Sequence, residues 1–127
     1  MPLKLTVVTP SFNQGRYLEE TILSVLNQGY QPLEYIVIDG GSTDESVSII
    51  RRYEEYLADW VIEKDRGQVH AINKGLEKAT GDIFAFLNSD DLYLPGVFNA
   101  VMAYFNENPQ SEWICGDTIM FGEGHET

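Results

Sequence analysis

Two adjacent carboxylates, Asp90 and Asp91, closely follow the apolar run at 84–87. A short apolar run is typical of an inner strand of a parallel sheet. The carboxylates would then lie at the carboxyl end of that strand, where open α/β sheets bind their ligands. Neighbouring carboxylates repel one another, and a divalent cation that prefers oxygen ligands, Mg²⁺ or Mn²⁺, relieves the repulsion. A polar turn in which an Asp caps the next helix is the competing interpretation.

Two further acidic residues, Asp39 and Asp65, follow other strand-like segments. An acid at the end of a strand can accept hydrogen bonds from a ribose or a base. Asp39 also precedes Gly40 and Gly41, which would allow a ligand to approach the backbone closely. Each residue has an alternative interpretation without a ligand. Asp39 could be a turn residue that bonds to the amides of its own loop, and Asp65 could be a solvated acid in a loop.

The helical pattern after Asp65 carries Asn73 and Lys74, which could bond a ligand and screen a phosphate. An exposed lysine and a locally satisfied asparagine are the alternatives. His70 stands between two apolar residues and is interpreted as a structural histidine and not as a base.

Strand-like runs alternate with helical patterns along the chain, which indicates βαβ units and a parallel sheet. Strands are predicted at residues 5–8, 34–38, 60–62, 83–87 and 113–115, and helices at 15–27, 42–56, 69–79 and 95–106. Ser42 and Glu45 fit a capping box at the start of the second helix. The prediction is a Rossmann-like α/β fold, a doubly wound and mainly parallel sheet of about five strands with its polar loops on one rim.

Composition restricts the classes of function. The 127 residues are sufficient for one domain with a core. The net charge of −12 argues against nonspecific binding to nucleic acid or to an anionic membrane.

No apolar stretch approaches the roughly 18 residues that a membrane span needs, and residues 1–4 do not resemble a signal peptide. The single cysteine, Cys115, excludes an internal disulfide and fits a reducing cytoplasm. The expected location is therefore cytoplasmic, or peripheral at the inner membrane face in a longer protein.

An ordered series of motifs resembles the inverting GT-A glycosyltransferases of family 2. In chain order the motifs are TPSFN at 9–13, YL at 17–18, SVLNQ at 24–28, EYIVIDGGSTD at 34–44, DRGQ at 65–68, AINKG at 71–75, ATGD at 79–82 and NSDDLYLP at 88–95. Single motifs of this length are common by chance, whereas the collinear set is specific. The resemblance implies a GT-A domain that binds a nucleotide-activated sugar, with a UDP-sugar as the expected donor.

The resemblance also implies roles for single residues at the nucleotide. Thr9 and Pro10 would line the base pocket. Asp39 and Asp65 would contact uracil or ribose, and Asp90 would lie near the ribose.

The metal motif is implied in the same way, with Asp91 as the direct ligand of Mg²⁺ or Mn²⁺ and Asp90 beside it. The cation would neutralise the charge that develops on the diphosphate as the leaving group departs. Three positions depart from the family pattern: Asn88 stands where many relatives have an acid, Gly40 where many have a second Asp, and His70 where Asp is frequent.

Family members continue past the fifth strand into an acceptor-binding half that carries the base carboxylate. No segment after Asp117 is long enough to supply that base. Residues 1–127 are therefore predicted to be the donor-binding half of an inverting transferase. The whole enzyme would transfer the sugar to a hydroxyl group of an acceptor, which could be a sugar, a lipid-linked molecule or a protein. The isolated chain is expected to transfer sugar poorly.

The loop after the first predicted strand argues against two other enzyme classes. A nucleotidyltransferase needs a Gly-rich basic loop after the first strand, and a haloacid-type phosphatase needs an Asp nucleophile there, but the loop at 9–13 has neither. The remaining alternative is a non-catalytic nucleotide-sugar-binding or interaction domain.

Overall fold

A computed structural model describes residues 3–108 of the chain. The elements, in order, are β1 (Leu5–Ser11), α1 (Gly15–Leu26), β2 (Leu33–Asp39), α2 (Ser46–Arg52), a 3₁₀ turn (Glu54–Tyr56), β3 (Asp59–Ile62), α3 (Gln68–Lys78), β4 (Ile83–Phe86) and α4 (Val97–Glu107). The strand predicted at 113–115, with Cys115, lies outside the described residues. No helix within residues 3–108 has the length and apolar composition needed to cross a membrane.

The four strands of the described part form one parallel sheet in the order β3-β2-β1-β4. The chain therefore runs outward from β1 to β3 and returns through α3 to the other side of β1. Strand order reverses between β1 and β4, and open α/β sheets bind ligands at the carboxyl ends of the strands beside such a reversal. The predicted parallel α/β architecture is confirmed.

Two apolar layers cover the sheet, and strand alternation assigns residues to them. Val7 and Val37 belong to the larger cluster, which also contains apolar residues of α1, α2 and α4. Val8 and Ile38 belong to the smaller cluster, which contains Ala71 of α3. In β1 and β2, odd-numbered side chains therefore face α1 and α2, and even-numbered side chains face α3.

β1 extends three residues beyond the predicted end, through Thr9, Pro10 and Ser11. Proline interrupts a strand only where its missing N–H would have joined the ladder. The carbonyl of Val8 accepts from Leu87 on the β4 side, and that of Ser11 accepts from Gly40 on the β2 side. Position 10 thus faces the β4 side, where β4 has already ended, so Pro10 costs no ladder hydrogen bond.

The capping box predicted at Ser42 and Glu45 is wrong. α2 begins at Ser46, and its N-cap residue, Glu45, makes no side-chain cap hydrogen bond; the carboxylate of Asp44 accepts from Ser46 N–H instead. The Ser42 hydroxyl instead donates to Asp39 Oδ1 at 2.7 Å, because the loop between β2 and α2 is folded around that carboxylate. The predicted continuous helix to residue 56 is also replaced by α2 ending at Arg52 and the separate 3₁₀ turn.

Candidate functional site

A cavity of about 790 Å³ opens at the carboxyl ends of β1, β2 and β4, beside the start of α3. Its volume is within the range of small-molecule sites, roughly 300–1,000 Å³. The lining residues are Pro10, Ser11, Phe12, Gln14, Gly40, Gly41, Lys64, Asp65, Gly67, Gln68, Ala71, Asn88, Ser89 and Asp90. Of the site residues predicted from sequence, the structure brings Pro10, Asp65 and Asp90 together in this lining.

Thr9 lies beneath the cavity and not in its lining. Its side chain is fully buried, and its hydroxyl shares a 2.8 Å hydrogen bond with the Tyr35 hydroxyl. Burial raises the pKa of Tyr35, so this phenol stays neutral. Strand alternation directs Thr9 toward α1 and α2 and its neighbour Pro10 toward α3, where the cavity lies. Ser11, the last residue of β1, also lines the cavity, at the end of the strand.

Asp39 is fully buried, and its carboxylate organises the loop that follows β2. Oδ2 accepts from the backbone N–H groups of Gly41 and Ser42, at 3.0 and 2.7 Å, and Oδ1 accepts from the Ser42 hydroxyl. Three donors within the loop thus surround the carboxylate. This is the turn-type arrangement that the sequence left open as the alternative for this residue.

The loop after β1 is tied to the same carboxylate through Ser42. Asn13, in the left-handed region with φ of 51°, donates its N–H to the Ser42 hydroxyl at 2.8 Å. The Asn13 side-chain oxygen accepts from Thr43 N–H at 2.9 Å. Asp39 and Asn13 therefore hold two walls of the cavity in a fixed relation, although neither lines it.

Asp44 adds a second tie between these loops. Its carboxylate accepts from the backbone N–H groups of Gly15 and Ser46, both at 2.9 Å. Burial disfavours its charged form, but the hydrogen bonds from Ser46 and Gly15 outweigh burial and lower the pKa of Asp44. The carboxylate consequently lies at the start of α1 as an anion, where the helix dipole favours it.

Asp65 reaches the cavity from the loop between β3 and α3. Its Oδ1 accepts from Gly67 N–H at 2.9 Å, and the residue is half-buried. Gly67 has a φ of 114° and Gly41 a φ of 89°, so both positions favour glycine on backbone grounds. A carboxylate fixed in this way can accept hydrogen bonds from ligand hydroxyl or N–H groups.

The acidic loop after β4 is anchored from below by Thr21 of α1. The buried Thr21 hydroxyl lies 2.9 Å from the carbonyl oxygen of Ser89 and 2.7 Å from that of Asp91. The carboxylates of Asp90 and Asp91 are on exposed residues, and Asp90 lines the cavity. Asp91 lies next to the lining, and Asn88 donates to its Oδ2 at 3.4 Å.

This donor set fits a hard divalent cation that is shared with a ligand. Within residues 3–108, no three His, Cys, Asp or Glu side chains are grouped so that they could enclose a metal ion by themselves. Mg²⁺ is commonly held by one or two carboxylates together with substrate phosphates, and does not require an all-protein cage. Asp90 and Asp91 supply such carboxylates at the mouth of the cavity.

Asn73 and Lys74 lie on α3 but outside the lining. Lys74 Nζ pairs with Glu63 at 2.9 Å, and its side chain is only 16% exposed. The hydrogen bond from Lys74 lowers the pKa of Glu63. Asn73 is exposed. Lys74 thus forms an ion pair with Glu63, and the roles of Asn73 and Lys74 at a ligand stay predictions.

Several lining residues were not singled out from the sequence. Phe12 is 58% exposed at the cavity, and Lys64 and Gln68 line its other side. Ser11 also lines the cavity, and its buried hydroxyl has no hydrogen-bond partner within the described residues. The available signal for Phe12 was an aromatic residue in the polar run that follows the first apolar segment, whereas Gln68 gives no signal by residue type. His70 accepts from Arg66 N–H through Nδ1, at 2.8 Å.

Comparisons with known proteins agree on one family. A model described as Glycosyl transferase family 2 matches residues 6–121. The putative teichuronic acid biosynthesis glycosyltransferase TuaG of Bacillus subtilis is 33% identical over 123 residues, which cover 94% of this chain and 49% of that protein. S. aureus TarS 1-349, solved in complex with UDP-GlcNAc, superposes with a TM-score of 0.75 at 26% identity, covering 83% of this chain and 32% of that one.

A mannosyltransferase of Pyrobaculum calidifontis, PcManGT, solved with GDP-Man and Mn²⁺, superposes with a TM-score of 0.70 at 33% identity. That alignment covers 80% of this chain and 32% of that one. The α/β fold with its parallel sheet is thus that of GT-A glycosyltransferases. The chain spans about half or less of the length of these proteins.

Proposed function

The chain belongs to glycosyltransferase family 2, and from this we propose that residues 1–127 are the donor-binding half of an inverting transferase. The donor is a nucleotide-activated sugar, held in the 790 Å³ cavity with Mg²⁺ or Mn²⁺. The observation that carries the proposal is the convergence of Asp65 and Asp90 on one cavity at the strand ends, where this sheet topology reverses.

The two ends of the cavity suit the two ends of a nucleoside diphosphate. Asp65, fixed by Gly67, would accept from the ribose or the base, and the exposed ring of Phe12 offers a surface for the base. Asp90 and Asp91 would hold the cation at the diphosphate. Asp39 and Thr9 would act by fixing the walls, since both are buried beneath them.

When bound, the divalent cation would stabilise the negative charge of the departing diphosphate. The chain's own residues contribute binding and orientation. Gly40 and Gly41 bring bare backbone to the cavity, and Asp65 and Asp90 face it from separate loops. Holding the donor in one orientation is a large part of what catalysis of a transfer requires.

We propose UDP as the nucleotide. The UDP-GlcNAc complex of TarS supports this choice, whereas PcManGT was solved with GDP-Man. The name of TuaG, a putative teichuronic acid biosynthesis glycosyltransferase, further supports polysaccharide synthesis as the process. The single cysteine in the chain supports a reducing cytoplasm as the compartment.

Calorimetry with UDP and with GDP, each with and without Mn²⁺, tests the proposal. The expected result is binding of UDP that strengthens with Mn²⁺ and exceeds binding of GDP. Negligible heats in all four titrations would overturn donor binding. Stronger binding of GDP would overturn only the choice of nucleotide.

A non-catalytic nucleotide-sugar-binding domain remains the second candidate. Turnover by the natural protein that contains this chain separates the two, using a panel of UDP-sugars and glycan acceptors. Binding without transfer by that protein would favour the second candidate.

A further inference from the structure

Two backbone N–H groups that precede α3 are held by side chains on either side of them. Gly67 N–H donates to Asp65 Oδ1 at 2.9 Å, and Arg66 N–H donates to Nδ1 of His70 at 2.8 Å. His70 is the third residue of α3, and it is half-buried and outside the lining of the cavity. The turn that carries Asp65 is therefore fixed from the helix side by an imidazole ring.

The contact between His70 and Arg66 requires a neutral imidazole. A ring nitrogen that accepts a hydrogen bond carries no proton, so the proton of the neutral ring must be on Nε2. Protonation of Nδ1 would convert the acceptor into a donor that faces the Arg66 N–H. It would also place a positive charge in the first turn of α3, where the helix dipole disfavours cations. The contact is therefore stable only while the ring is uncharged.

The charged side chains next to the ring come from the loop after β3 and from α3 itself: Glu63, Lys64, Asp65, Arg66 and Lys74. The hydrogen bond and the charge of Lys74 lower the pKa of Glu63, and the charge of His70 lowers it further, so Glu63 faces both. Glu63 would attract an imidazolium and Lys74 would repel it, and these two side chains are themselves an ion pair at 2.9 Å. The loss of the acceptor therefore decides how the turn responds to acid.

We propose that His70 is a positioning residue for Asp65 and that it makes nucleotide binding by this chain sensitive to acid. This inference rests on the proposed function, since Asp65 is one of the two carboxylates that converge on the cavity. The neutral ring holds the Arg66 N–H, and the adjacent Gly67 N–H is thereby kept in place for Asp65. Histidine ordinarily changes its charge between roughly pH 5 and pH 8. The positioning of Asp65 is present above this range and is lost as the pH falls through it.

The test compares the wild type with His70→Asn and His70→Ala. Asparagine keeps an acceptor oxygen on a side chain of similar reach and does not titrate, whereas alanine has no acceptor. The measured quantity is the Kd for UDP with Mn²⁺ at about pH 7.5 and about pH 5.5, on either side of the ordinary titration of histidine. At the higher pH, His70→Asn should bind as the wild type does, and His70→Ala about fivefold more weakly, as expected for one lost hydrogen bond.

At the lower pH, the wild type should lose about fivefold more affinity than His70→Asn loses. The phosphate of UDP also titrates in this range, and the comparison of two proteins with the same ligand removes its contribution. His125→Asn is the matched control, because the chain has two histidines, and it should keep the pH dependence of the wild type.

Three results would contradict the inference. Equal losses on acidification in the wild type and in His70→Asn would overturn the acid sensitivity. His70→Ala binding as tightly as the wild type at the higher pH would overturn the positioning role. A His70→Asn variant that binds as weakly as His70→Ala at that pH would do the same, because restoring an acceptor would then have no effect.

Amide resonances of the free wild-type chain test the contact without a ligand. The Arg66 and Gly67 amides should shift between pH 8 and pH 5 with the same midpoint as the His70 ring, and they should stay nearly constant in His70→Asn. An Arg66 amide that does not move while the ring titrates would overturn the inference. If the wild type bound no UDP at either pH, the proposed function would fail, and the Arg66 resonance would still decide whether His70 holds the turn.

Discussion

A Cβ atom on Gly40 would lie 3.0 Å from each carboxylate oxygen of Asp65. Such contacts are closer than ordinary van der Waals separation, so the bare backbone at position 40 is what allows Asp65 to occupy its place in the cavity wall. Gly40 is not among the glycines with positive φ. Space at Asp65, and not backbone conformation, is therefore the reason for glycine here.

The Gly40→Ala variant is expected to bind nucleotide more weakly by about three- to tenfold, roughly 0.7–1.4 kcal/mol, because the methyl group displaces the Asp65 carboxylate. Stability should change little, since Asp65 is only half-buried and can move. Calorimetry with UDP measures the effect. The control is Gly40→Ala in an Asp65→Ala background, where the alanine at 40 should cause no further loss. An equal loss in both backgrounds would show that position 40 acts independently of Asp65.

The Asp91→Asn variant keeps the shape of the side chain and removes one charge. Binding of UDP with Mn²⁺ should weaken about tenfold, or about 1.4 kcal/mol, because the proposed cation ligand is lost. The melting temperature should be equal or slightly higher, because repulsion with Asp90 is relieved. Glu77→Gln removes a charge from an exposed position on α3 and should leave both quantities unchanged. A variant that melts much earlier and binds normally would identify the pair as structural.

Gly75→Ala is expected to destabilise the domain although alanine favours helix. A Cβ on Gly75 would lie 2.5 Å from Val8 Cγ1, in the fully buried centre of the sheet. Overpacking of this kind typically costs about 1–3 kcal/mol, which exceeds the roughly 1 kcal/mol gained in helix propensity. Urea unfolding measures the difference. In a Val8→Ala background the same substitution should cost less, and an undiminished cost there would locate the strain elsewhere.

Glu34→Gln tests a hydrogen-bonded carboxylate at the opposite end of the sheet. The carboxylate of Glu34 accepts from the Thr6 hydroxyl at 2.7 Å and from Thr80 N–H and hydroxyl, both at 2.8 Å. Burial opposes its ionisation, but the hydrogen bonds from Thr80 and Thr6 outweigh burial and lower the pKa of Glu34. The free energy of unfolding should therefore fall by about 1–3 kcal/mol in the variant at pH 7.

A lowered pKa in the folded state also sets the direction of the pH dependence. The stabilisation by Glu34 is present above the ordinary pKa of a glutamate and is lost as the pH falls through the lower folded-state pKa. The wild type should thus lose more stability than Glu34→Gln between roughly pH 5 and pH 3. Thermal melts across this range provide the measurement. Parallel curves for the two proteins would contradict the assigned role.

Most of the secondary structure could be predicted from the sequence, because apolar runs and helical periodicity are local signals. The errors came where side chains compete for backbone groups. The sequence around Ser42 is typical of a helix cap. The Ser42 hydroxyl instead donates to Asp39, three residues earlier, and the helix begins later, at Ser46. The prediction ends β1 at residue 8, whereas the strand continues through Pro10 because β4 has already ended beside it.

The sequence by itself determined the alternation of strands and helices, the parallel sheet, and the acidic loops at its carboxyl rim. It could not determine on which face of the sheet the cavity opens. That depends on the path of α3, which crosses from β3 to the far side of β1 and so decides which face of the sheet it covers. Within β1, neighbouring side chains then point to opposite faces. Pro10 faces α3 and lines the cavity, while Thr9, its neighbour, is buried against Tyr35 on the opposite face. The local sequence pattern thus predicts that the site lies at the carboxyl ends of the strands. Only the packing of segments distant in sequence selects the side chains that reach the cavity there.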